Sequence, residues 1–259
     1  MCGIAGFISK KYLNNSKSVL LEMISELNHR GPDDSGSKIW NDENFTVGFG
    51  HTRLSILDLS NNGSQPFFYN NLAIVYNGEI YNFAEIKNEL IELGHKFNTN
   101  CDTEIVIHAY DQWNLKCVNK FIGMFVFSIY DISKNKIFFF RDRVGVKPLY
   151  YYYENDQFLF SSEIKAFHKH PKFLKKIDMD SVGLYMNLGY IPSPKSIFSN
   201  CYKLDPGSCL EFCLESFNIS ISKYLYIFCF WVPYWPGPLW GPMGPIRARA
   251  KTKAFVSKK

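Results

Sequence analysis

The sequence predicts an α+β fold in which antiparallel sheets are stacked and covered by helices. Short apolar segments bounded by turn residues recur along the chain, several of them in adjacent pairs, and amphipathic helical segments lie between them. With 259 residues, of which 46% are hydrophobic and 20% charged, the chain has the composition of a globular protein with a sizeable core. No internal period indicates a repeat array.

The first part of the chain is predicted to form two strands with a helix between them. Residues 3–9 are a short apolar run, which places Cys2 at the edge of a strand. Residues 16–28 carry their apolar side chains on one helical face and end at the turn cluster H-R-G-P-D-D-S-G, residues 29–36. Residues 45–54 have the pattern of a second strand.

The middle of the chain is predicted to alternate between strands and helices. An apolar strand over residues 72–76 runs into the hexapeptide N-G-E-I-Y-N. Asn82 and Glu85 have the spacing of an N-cap and a capping box, and Gly94 is placed to end the helix that they begin.

Asp102 is predicted to cap the next helix, over residues 103–113. Two hairpins are then predicted, formed by residues 121–131 with 136–141 and by residues 148–153 with 157–162.

The sequence M-C-G-I-A-G-F at the beginning has the residue types of a nucleophile that carries its own base. With Met1 removed, Cys2 bears a thiol and a free α-amine, whose unperturbed pKa is roughly 7.7–8.0. That pKa suits a general base near neutral pH, so one residue would supply both groups. A cysteine at position 2 is more often an inert residue, and the short motif alone does not establish a nucleophile.

Polar residues near the predicted strand ends supply what an attack by Cys2 on a primary amide needs. Asn77 and Gly78 fit an oxyanion hole, because a side-chain amide and a backbone N–H can converge on one oxygen. Arg53 fits a carboxylate clamp, and Asp102 fits a partner for an ammonium group. A substrate with a carboxylate, an ammonium and a side-chain amide is glutamine or asparagine.

Each of these residues also has a purely structural interpretation. Asn-Gly is a common turn dipeptide, so Asn77 and Gly78 are compatible with a plain turn. Arg53 is compatible with a surface ion pair, and Asp102 with a simple helix cap. Their joint presence with an N-terminal cysteine favours a site.

Longer stretches of the sequence resemble the class II glutamine amidotransferases. The resemblance rests on Cys2-Gly3-Ile4, H-R-G-P-D at 29–33, R-L-S-I at 53–56, N-G-E-I-Y-N at 77–82, D-T-E at 102–104 and R-D-R-V-G-V-K-P-L-Y-Y at 141–151. The resemblance is specifically to the glutaminase domain of glutamine-dependent asparagine synthetases. It extends to about residue 212 through two further stretches, S-S-E-I-K-A at 161–166 and G-Y-I-P-S-P-K-S-I-F at 189–198. The sugar-phosphate and phosphoribosyl branches of the family differ after the arginine and lack N-G-E-I-Y-N.

The resemblance implies an N-terminal-nucleophile (Ntn) hydrolase fold, a four-layer αββα sandwich of two antiparallel sheets. It also implies that Cys2 attacks the γ-amide of L-glutamine, that ammonia leaves, and that water hydrolyses the γ-glutamyl thioester to glutamate. Asn77 and Gly78 would form the oxyanion hole. The remaining pocket residues that the resemblance implies are Arg53, Leu54, Ser55, Ile56, Leu57, Glu79 and Asp102.

Relatives in this family use the ammonia in an ATP-dependent synthetase domain that makes asparagine and carries the signature S-G-G-x-D-S. This sequence contains no Gly-Gly pair, so we expect that domain to be absent and only glutaminase activity from this chain. The glutaminase step needs no metal or cofactor, and ATP and Mg²⁺ are expected only with the missing domain. One departure from the family is Cys101, which stands where serine is usual and predicts a modest weakening of substrate orientation.

Charge and cysteine usage argue against other classes of function. Residues 247–259 hold six basic residues, and the rest of the chain has 23 basic and 24 acidic ones, so no nucleic-acid-binding face is indicated. The seven cysteines include no C-x-x-C pair, which argues against a disulfide framework or a zinc site and favours a reducing compartment, the cytoplasm. No basic region followed by an apolar run indicates a secretory signal.

The amidotransferase domain is predicted over residues 2–212, followed by an atypical tail over residues 213–259. Residues 224–246 contain no charged residue but five prolines. The stretch is long enough to span a membrane, yet the prolines would remove helical hydrogen bonds that lipid cannot replace. A non-native or frame-shifted end, disordered or sticky, is favoured over a membrane span or an interfacial anchor helped by the basic end, although the sequence does not separate these alternatives.

Two alternatives to a glutaminase stay open. The chain is also compatible with a non-catalytic, truncated remnant that acts, if at all, as an interaction module. Another amide hydrolase using the same cysteine is opposed by Arg53 with Asp102, since that pair suits an amino-acid substrate. The sequence does not decide the oligomeric state, or whether a synthetase domain or a separate subunit accepts the ammonia.

Overall fold

The computed structural model describes residues 1–55 and 63–225, which build two antiparallel sheets with helices outside them. The strands are β1 (Gly3–Ser9), β2 (Asp34–Asn41), β3 (Thr46–Arg53), β4 (Phe67–Tyr69), β5 (Leu72–Ile80), β6 (Gly123–Asp131), β7 (Lys136–Arg141), β8 (Tyr150–Glu154), β9 (Gln157–Ser161), β10 (Cys201–Lys203), β11 (Ser208–Cys213) and β12 (Asn218–Lys223). The α-helices are α1 (Ser16–Ser25), α2 (Phe83–Glu92), α3 (Asp102–Trp113) and α4 (Met179–Leu188).

The two sheets have six strands each. The first has the order β10-β8-β9-β1-β3-β2, the second has the order β12-β11-β7-β6-β5-β4, and every pairing is antiparallel. Successive side chains along a strand point to opposite faces, so each sheet can bury both faces if helices cover the outer one. This is why β1 and β3 are buried along their whole length.

Three apolar cores follow from this alternation. Ile4 of the first sheet packs with Val75 of the second in the core between the sheets. The neighbouring residue Ala5 points outward and packs with Leu20 of α1. On the far side, Ile74 packs with Val106 of α3 in the core that lies outside the second sheet. The layers are therefore helix, sheet, sheet and helix, and the predicted αββα sandwich is confirmed.

Most predicted elements are present, and the structure adds several that were not predicted, among them the largely buried strand β11 and two exposed elements. The strand over residues 3–9 and both predicted hairpins form as expected. The structure adds β2, which begins inside the predicted turn cluster and lies at a sheet edge, half-exposed and rich in polar residues. It also adds α4, of whose residues only Ser181 is buried. Such elements lack the periodic apolar pattern that marks buried ones.

Two predicted helix caps are wrong. The Asn82 side chain makes no cap; it donates to the carbonyl of Lys120 at 2.9 Å and accepts from Ile122 N at 2.8 Å. Asp102 lies inside the first turn of α3, where its carboxylate bonds to groups outside the helix. Gly94 does follow the end of α2 with a φ of +94°, a conformation that suits glycine.

The second sheet continues past residue 212, where we predicted the amidotransferase domain to end. Strand β12 pairs with β11 over the register Ser208↔Lys223 to Cys213↔Asn218. In the described part of the chain, no helix is long and apolar enough to cross a membrane. The apolar and basic tail beyond residue 225 lies outside the described residues.

Candidate active site

Cys2 stands directly before β1, at the point where β1 meets the end of β3. The antiparallel register pairs Gly3 with Thr52, so the cysteine lies beside Arg53 and Leu54. The Cys2 Sγ accepts from the backbone N–H of Leu54 at 3.4 Å and lies 3.7 Å from the Leu54 carbonyl oxygen. The backbone after β3 thus fixes the orientation of the sulfur.

The environment of Cys2 favours the thiol over the thiolate. Burial raises the pKa of the Cys2 thiol, opposed by the Leu54 hydrogen bond and by the positive charges of the N-terminus and Arg53. A thiol that is protonated near neutral pH needs a base within reach before it can attack.

The backbone carbonyl of Cys2 accepts a hydrogen bond from an arginine side chain. Arg30 donates through Nε to the Cys2 carbonyl at 3.0 Å and through Nη1 to Glu163 Oε1 at 2.9 Å. Glu163 also accepts from His29 Nε2 at 2.9 Å. Two sequence motifs, H-R-G-P-D and S-S-E-I-K-A, are therefore in contact next to the candidate nucleophile.

Asn77 and Gly78 lie within β5, so they do not form the plain turn that an Asn-Gly pair suggested. They pair with Val126 and Phe125 of β6. A Cβ on Gly78 would stand 2.5 Å from the backbone oxygen of Met124, which explains why glycine occupies this position. The Asn77 residue is only 1% exposed, and its Nδ2 has no hydrogen-bond partner among the described residues.

His51 joins the two sheets next to this asparagine. Its Nε2 lies 3.1 Å from the backbone oxygen of Tyr76, and the side chain is buried. Because a carbonyl only accepts hydrogen bonds, the Nε2 of His51 carries the proton. Burial lowers the pKa of His51 to about 3, which keeps the ring neutral.

Asp102 lies across the cavity at the start of α3. Its Oδ2 accepts from the Tyr76 hydroxyl at 2.6 Å and from Ile80 N at 3.3 Å, and its Oδ1 lies 3.8 Å from Cys101 Sγ. Burial raises the pKa of the Asp102 carboxyl, against the hydrogen bonds from Tyr76 and Ile80, which lower it.

These elements line one cavity of about 170 Å³. Of the residues that the sequence predicted for the site, the cavity is lined by Cys2, Arg53, Leu54, Asn77, Gly78, Glu79 and Asp102. Ser55 does not line it; its backbone N–H donates to Asp33 Oδ2 at 2.8 Å. Ile56 and Leu57 lie outside the described residues.

The cavity also contains residues that the sequence analysis did not identify. These are Met1, Gly63, Gln65, Tyr76, Thr103, Met124 and Lys147. Cys101, which the sequence indicated as a residue that affects substrate orientation, also lines the cavity. Lys147 is positioned by Asp142, whose carboxylate accepts from the backbone N–H groups of Val144, Val146 and Lys147. Burial and the nearby Arg30 lower the pKa of the Lys147 ammonium. Lys147 stood in a quoted motif, but no spacing rule linked that motif to Cys2.

Gly63 lies against the arginine of the site. A Cβ at this position would overlap Arg53 Nη2 and stand 2.8 Å from Arg53 Cζ. The guanidinium group therefore packs on a backbone without a side chain. Among the described residues, no group of three or more His, Cys, Asp and Glu side chains is placed to hold a metal ion.

Comparison with known proteins identifies similar sequences. A family model described as a glutamine amidotransferase domain matches residues 1–225. The chain is 42% identical to a putative glutamine-hydrolyzing asparagine synthetase 2 of Methanocaldococcus jannaschii, over 87% of this chain and 46% of that protein. It is 37% identical to asparagine synthetase 3 of Bacillus subtilis, over 85% of this chain and 36% of that protein. The chain thus spans less than half the length of these relatives.

Solved structures share the fold. The glutamine phosphoribosylpyrophosphate amidotransferase of B. subtilis superposes with a TM-score of 0.61 at 19% identity, covering 86% of this chain and 49% of that one. An allosteric regulatory enzyme of purine biosynthesis superposes with a TM-score of 0.62 at 18% identity and the same coverage. These likenesses confirm the predicted four-layer sandwich as the fold of the chain.

Proposed function

The chain belongs to the class II glutamine amidotransferase family, and on this basis we propose that it hydrolyses L-glutamine to glutamate and ammonia. The described residues would form the glutaminase half of an asparagine-synthetase-like protein. The catalytic residue would be Cys2, exposed as the N-terminus by removal of Met1.

The proposed reaction proceeds in two steps. The thiol of Cys2 passes its proton to the free α-amine while Sγ attacks the γ-carbonyl carbon of glutamine. The tetrahedral intermediate collapses, its C–N bond breaks, and the leaving nitrogen takes the proton from the α-ammonium and departs as ammonia. Water, deprotonated by the same amine, then attacks the γ-glutamyl thioester. The C–S bond breaks, and the α-ammonium returns its proton to the departing sulfur, which gives glutamate and the free thiol.

The observation that carries this proposal is the unpartnered amide of Asn77. A buried donor without a partner costs about 1–3 kcal/mol of stability, so a folded protein seldom retains one without a reason. The residue Asn77 lines the same cavity as Cys2. An oxyanion formed by attack of the sulfur would accept a hydrogen bond from Nδ2, which supports the assignment of Asn77 and Gly78 as the oxyanion hole.

The charged residues of the cavity support an amino-acid substrate. Arg53 and Asp102 are buried opposite charges that line one small cavity, which suits the α-carboxylate and α-ammonium of glutamine. Glu79 adds a second carboxylate for the ammonium, and the backbone at Leu54 contributes polar groups near the sulfur. We assign no substrate contact to Ser55.

The released ammonia would serve a synthetase. Relatives that match this chain are named asparagine synthetases and are more than twice as long as the matched region. We propose that a synthetase domain or subunit accepts the ammonia and that ATP and Mg²⁺ are needed only there. The cysteine usage favours the cytoplasm as the site of this reaction.

The experiment is to incubate the purified chain with glutamine and to measure ammonia and glutamate together. Mass spectrometry first establishes that Met1 has been removed. We expect equal amounts of the two products from the wild type and none from Cys2→Ala, with Cys213→Ala as the matched control at a cysteine outside the cavity. No ammonia from a folded chain that begins with Cys2 would instead support the non-catalytic alternative.

A further inference from the structure

Building on the proposed glutaminase function, we propose that Tyr76 is a positioning residue for glutamine. Its hydroxyl holds the Asp102 carboxylate in the orientation, and in the ionised form, that bind the α-ammonium. Tyr76 itself makes no contact with the reacting atoms in this account; it acts through Asp102.

The first support is the geometry of the pair. The Tyr76 hydroxyl donates to Asp102 Oδ2 over 2.6 Å, a length typical of a hydrogen bond to a charged oxygen. The two residues are 3% and 5% exposed and come from different elements, β5 and α3. The bond therefore fixes the start of α3 relative to the strand that carries Asn77.

The second support is that the backbone of Tyr76 is held on both sides. Its N–H donates to Gln65 Oε1 at 2.6 Å, and its carbonyl accepts from His51 Nε2 at 3.1 Å. Gln65 also donates through Nε2 to Thr103 Oγ1 at 3.2 Å, so one side chain ties the strand to the residue after Asp102. This network leaves the hydroxyl little freedom to move away from the carboxylate.

The third support is that packing alone would not select a tyrosine here. The Tyr76 side chain belongs to the apolar core outside the second sheet, among residues such as Ile80 and Ile105. A phenylalanine would fill that space equally well, whereas a buried hydroxyl requires a partner. The hydrogen-bond partner of the Tyr76 hydroxyl is the Asp102 carboxylate, which the proposed function assigns to substrate binding.

The electrostatic consequence concerns the protonation of Asp102. Burial raises the pKa of this carboxyl, and the hydrogen bond from Tyr76 is the largest effect that lowers it. The other groups that face it are Ile80 N–H and Cys101, which lower its pKa, and Glu79, which raises it. Arg53 and Cys2 line the same cavity. Without the hydroxyl, Asp102 takes up a proton at a higher pH and then no longer attracts an ammonium.

The test measures glutamine binding in the Cys2→Ala background, where no chemistry follows binding. Titration calorimetry between pH 5 and 8 gives the dissociation constant for Tyr76→Phe and for the background itself. Tyr110→Phe is the matched control, because its buried hydroxyl also bonds a carboxylate, Asp131 at 3.3 Å, outside the cavity. Thermal unfolding of each variant establishes that it is folded.

We expect Tyr76→Phe to weaken glutamine binding about tenfold near pH 7, as expected for the loss of one hydrogen bond to a charged group. The pH below which affinity falls should also move upward, while Tyr110→Phe changes neither value. In the chain with Cys2 intact, kcat at saturating glutamine should stay within about twofold of the wild type, because the reacting atoms are untouched.

Unchanged affinity and an unchanged pH dependence in Tyr76→Phe would overturn the proposal, as would a loss of kcat with unaltered glutamine affinity. A second measurement does not depend on glutamine at all. The ¹³C resonance of the Asp102 carboxyl, identified by its loss in Asp102→Asn, should titrate at a higher pH in Tyr76→Phe. A wild-type chain that neither binds nor hydrolyses glutamine would refute the glutaminase function, and an unmoved Asp102 titration would separately refute the role of Tyr76.

Discussion

The Nε2 of His51 donates to the backbone carbonyl of Tyr76 across 3.1 Å and so joins the sheet that carries Arg53 to the sheet that carries Asn77. The bond lies between β3 and β5, next to the cavity. The bond therefore holds Arg53, on the first sheet, at a fixed separation from Asn77, on the second sheet. The stability of the sandwich and the geometry of the site depend on the same hydrogen bond.

The first prediction concerns the strength of this connection. His51→Phe keeps a ring but leaves the Tyr76 carbonyl buried without its partner, which should lower the free energy of unfolding by about 1–3 kcal/mol. Urea denaturation measures this value. His170→Phe is the control, because the buried Nε2 of His170 has no hydrogen-bond partner among the described residues, and its Nδ1 accepts only from the N–H of the exposed Lys172, at 3.3 Å, which water can replace, so less is lost. Equal losses in the two variants would contradict the role of the His51 bond.

The second prediction concerns pH and stability. Burial lowers the pKa of His51 to about 3 and that of His108 and His170 to about 4, whereas a histidine in the unfolded chain titrates near ~6.5. Below that pH the unfolded state binds more protons than the folded state. Stability is therefore fully present above about pH 6.5 and is lost as the pH falls towards the folded values.

The measurement is the free energy of unfolding by urea between pH 6.5 and 5, where most carboxyl groups of the unfolded chain stay ionised. Each buried, neutral histidine should lower the free energy of unfolding by up to ~1.4 kcal/mol for each unit by which the pH falls. His170→Phe should reduce the slope by the share of one histidine. A slope that does not change in this variant would show that His170 is not buried in its neutral form.

The third prediction concerns the substrate clamp. A methyl group at Gly63 would overlap the guanidinium of Arg53, so Gly63→Ala should displace it and raise the KM for glutamine several-fold with little change in kcat. Gly183→Ala is the control, because a Cβ there meets no atom within 4 Å. It should leave KM unchanged. A fall in kcat at constant KM in Gly63→Ala would show that Arg53 does not hold the ground-state substrate.

The fourth prediction concerns Cys101, which occupies the N-cap position of α3 with extended backbone angles but makes no side-chain cap. Serine is a preferred N-cap, so Cys101→Ser should stabilise the chain by about 0.5–1 kcal/mol. Its hydroxyl is also a better donor than a thiol towards Asp102, so the KM for glutamine should fall. Cys213→Ser, a cysteine outside the cavity, should change neither value. A higher KM in Cys101→Ser would show that the thiol is needed.

The sequence predicted the parts of the site that carry unusual chemistry. Cys2, Arg53 and Asp102 were identified because their residue types match the functional groups of one substrate, and the structure brings them to one cavity. The sandwich itself was predictable because buried strands leave a continuous apolar pattern.

The supporting residues could not be found in the same way. Tyr76 belongs to an apolar strand, and only the fold shows that its hydroxyl meets a carboxylate 26 positions later. Arg30 and Glu163 are 133 positions apart, and no local spacing predicts their contact. Asp102 was correctly placed at the start of a helix, but its predicted cap is wrong because its carboxylate faces the cavity and β5 instead.

The most direct test of the account is to treat the folded, Met1-free chain with a diazoketone analogue of glutamine and to locate the adduct by peptide mass spectrometry. The analogue keeps the α-carboxylate and α-ammonium and alkylates a nucleophile placed at the amide position. The account predicts one adduct, on Cys2 Sγ, that excess glutamine suppresses and that Asp102→Asn slows. An unmodified Cys2, or an adduct whose rate glutamine does not affect, would contradict it.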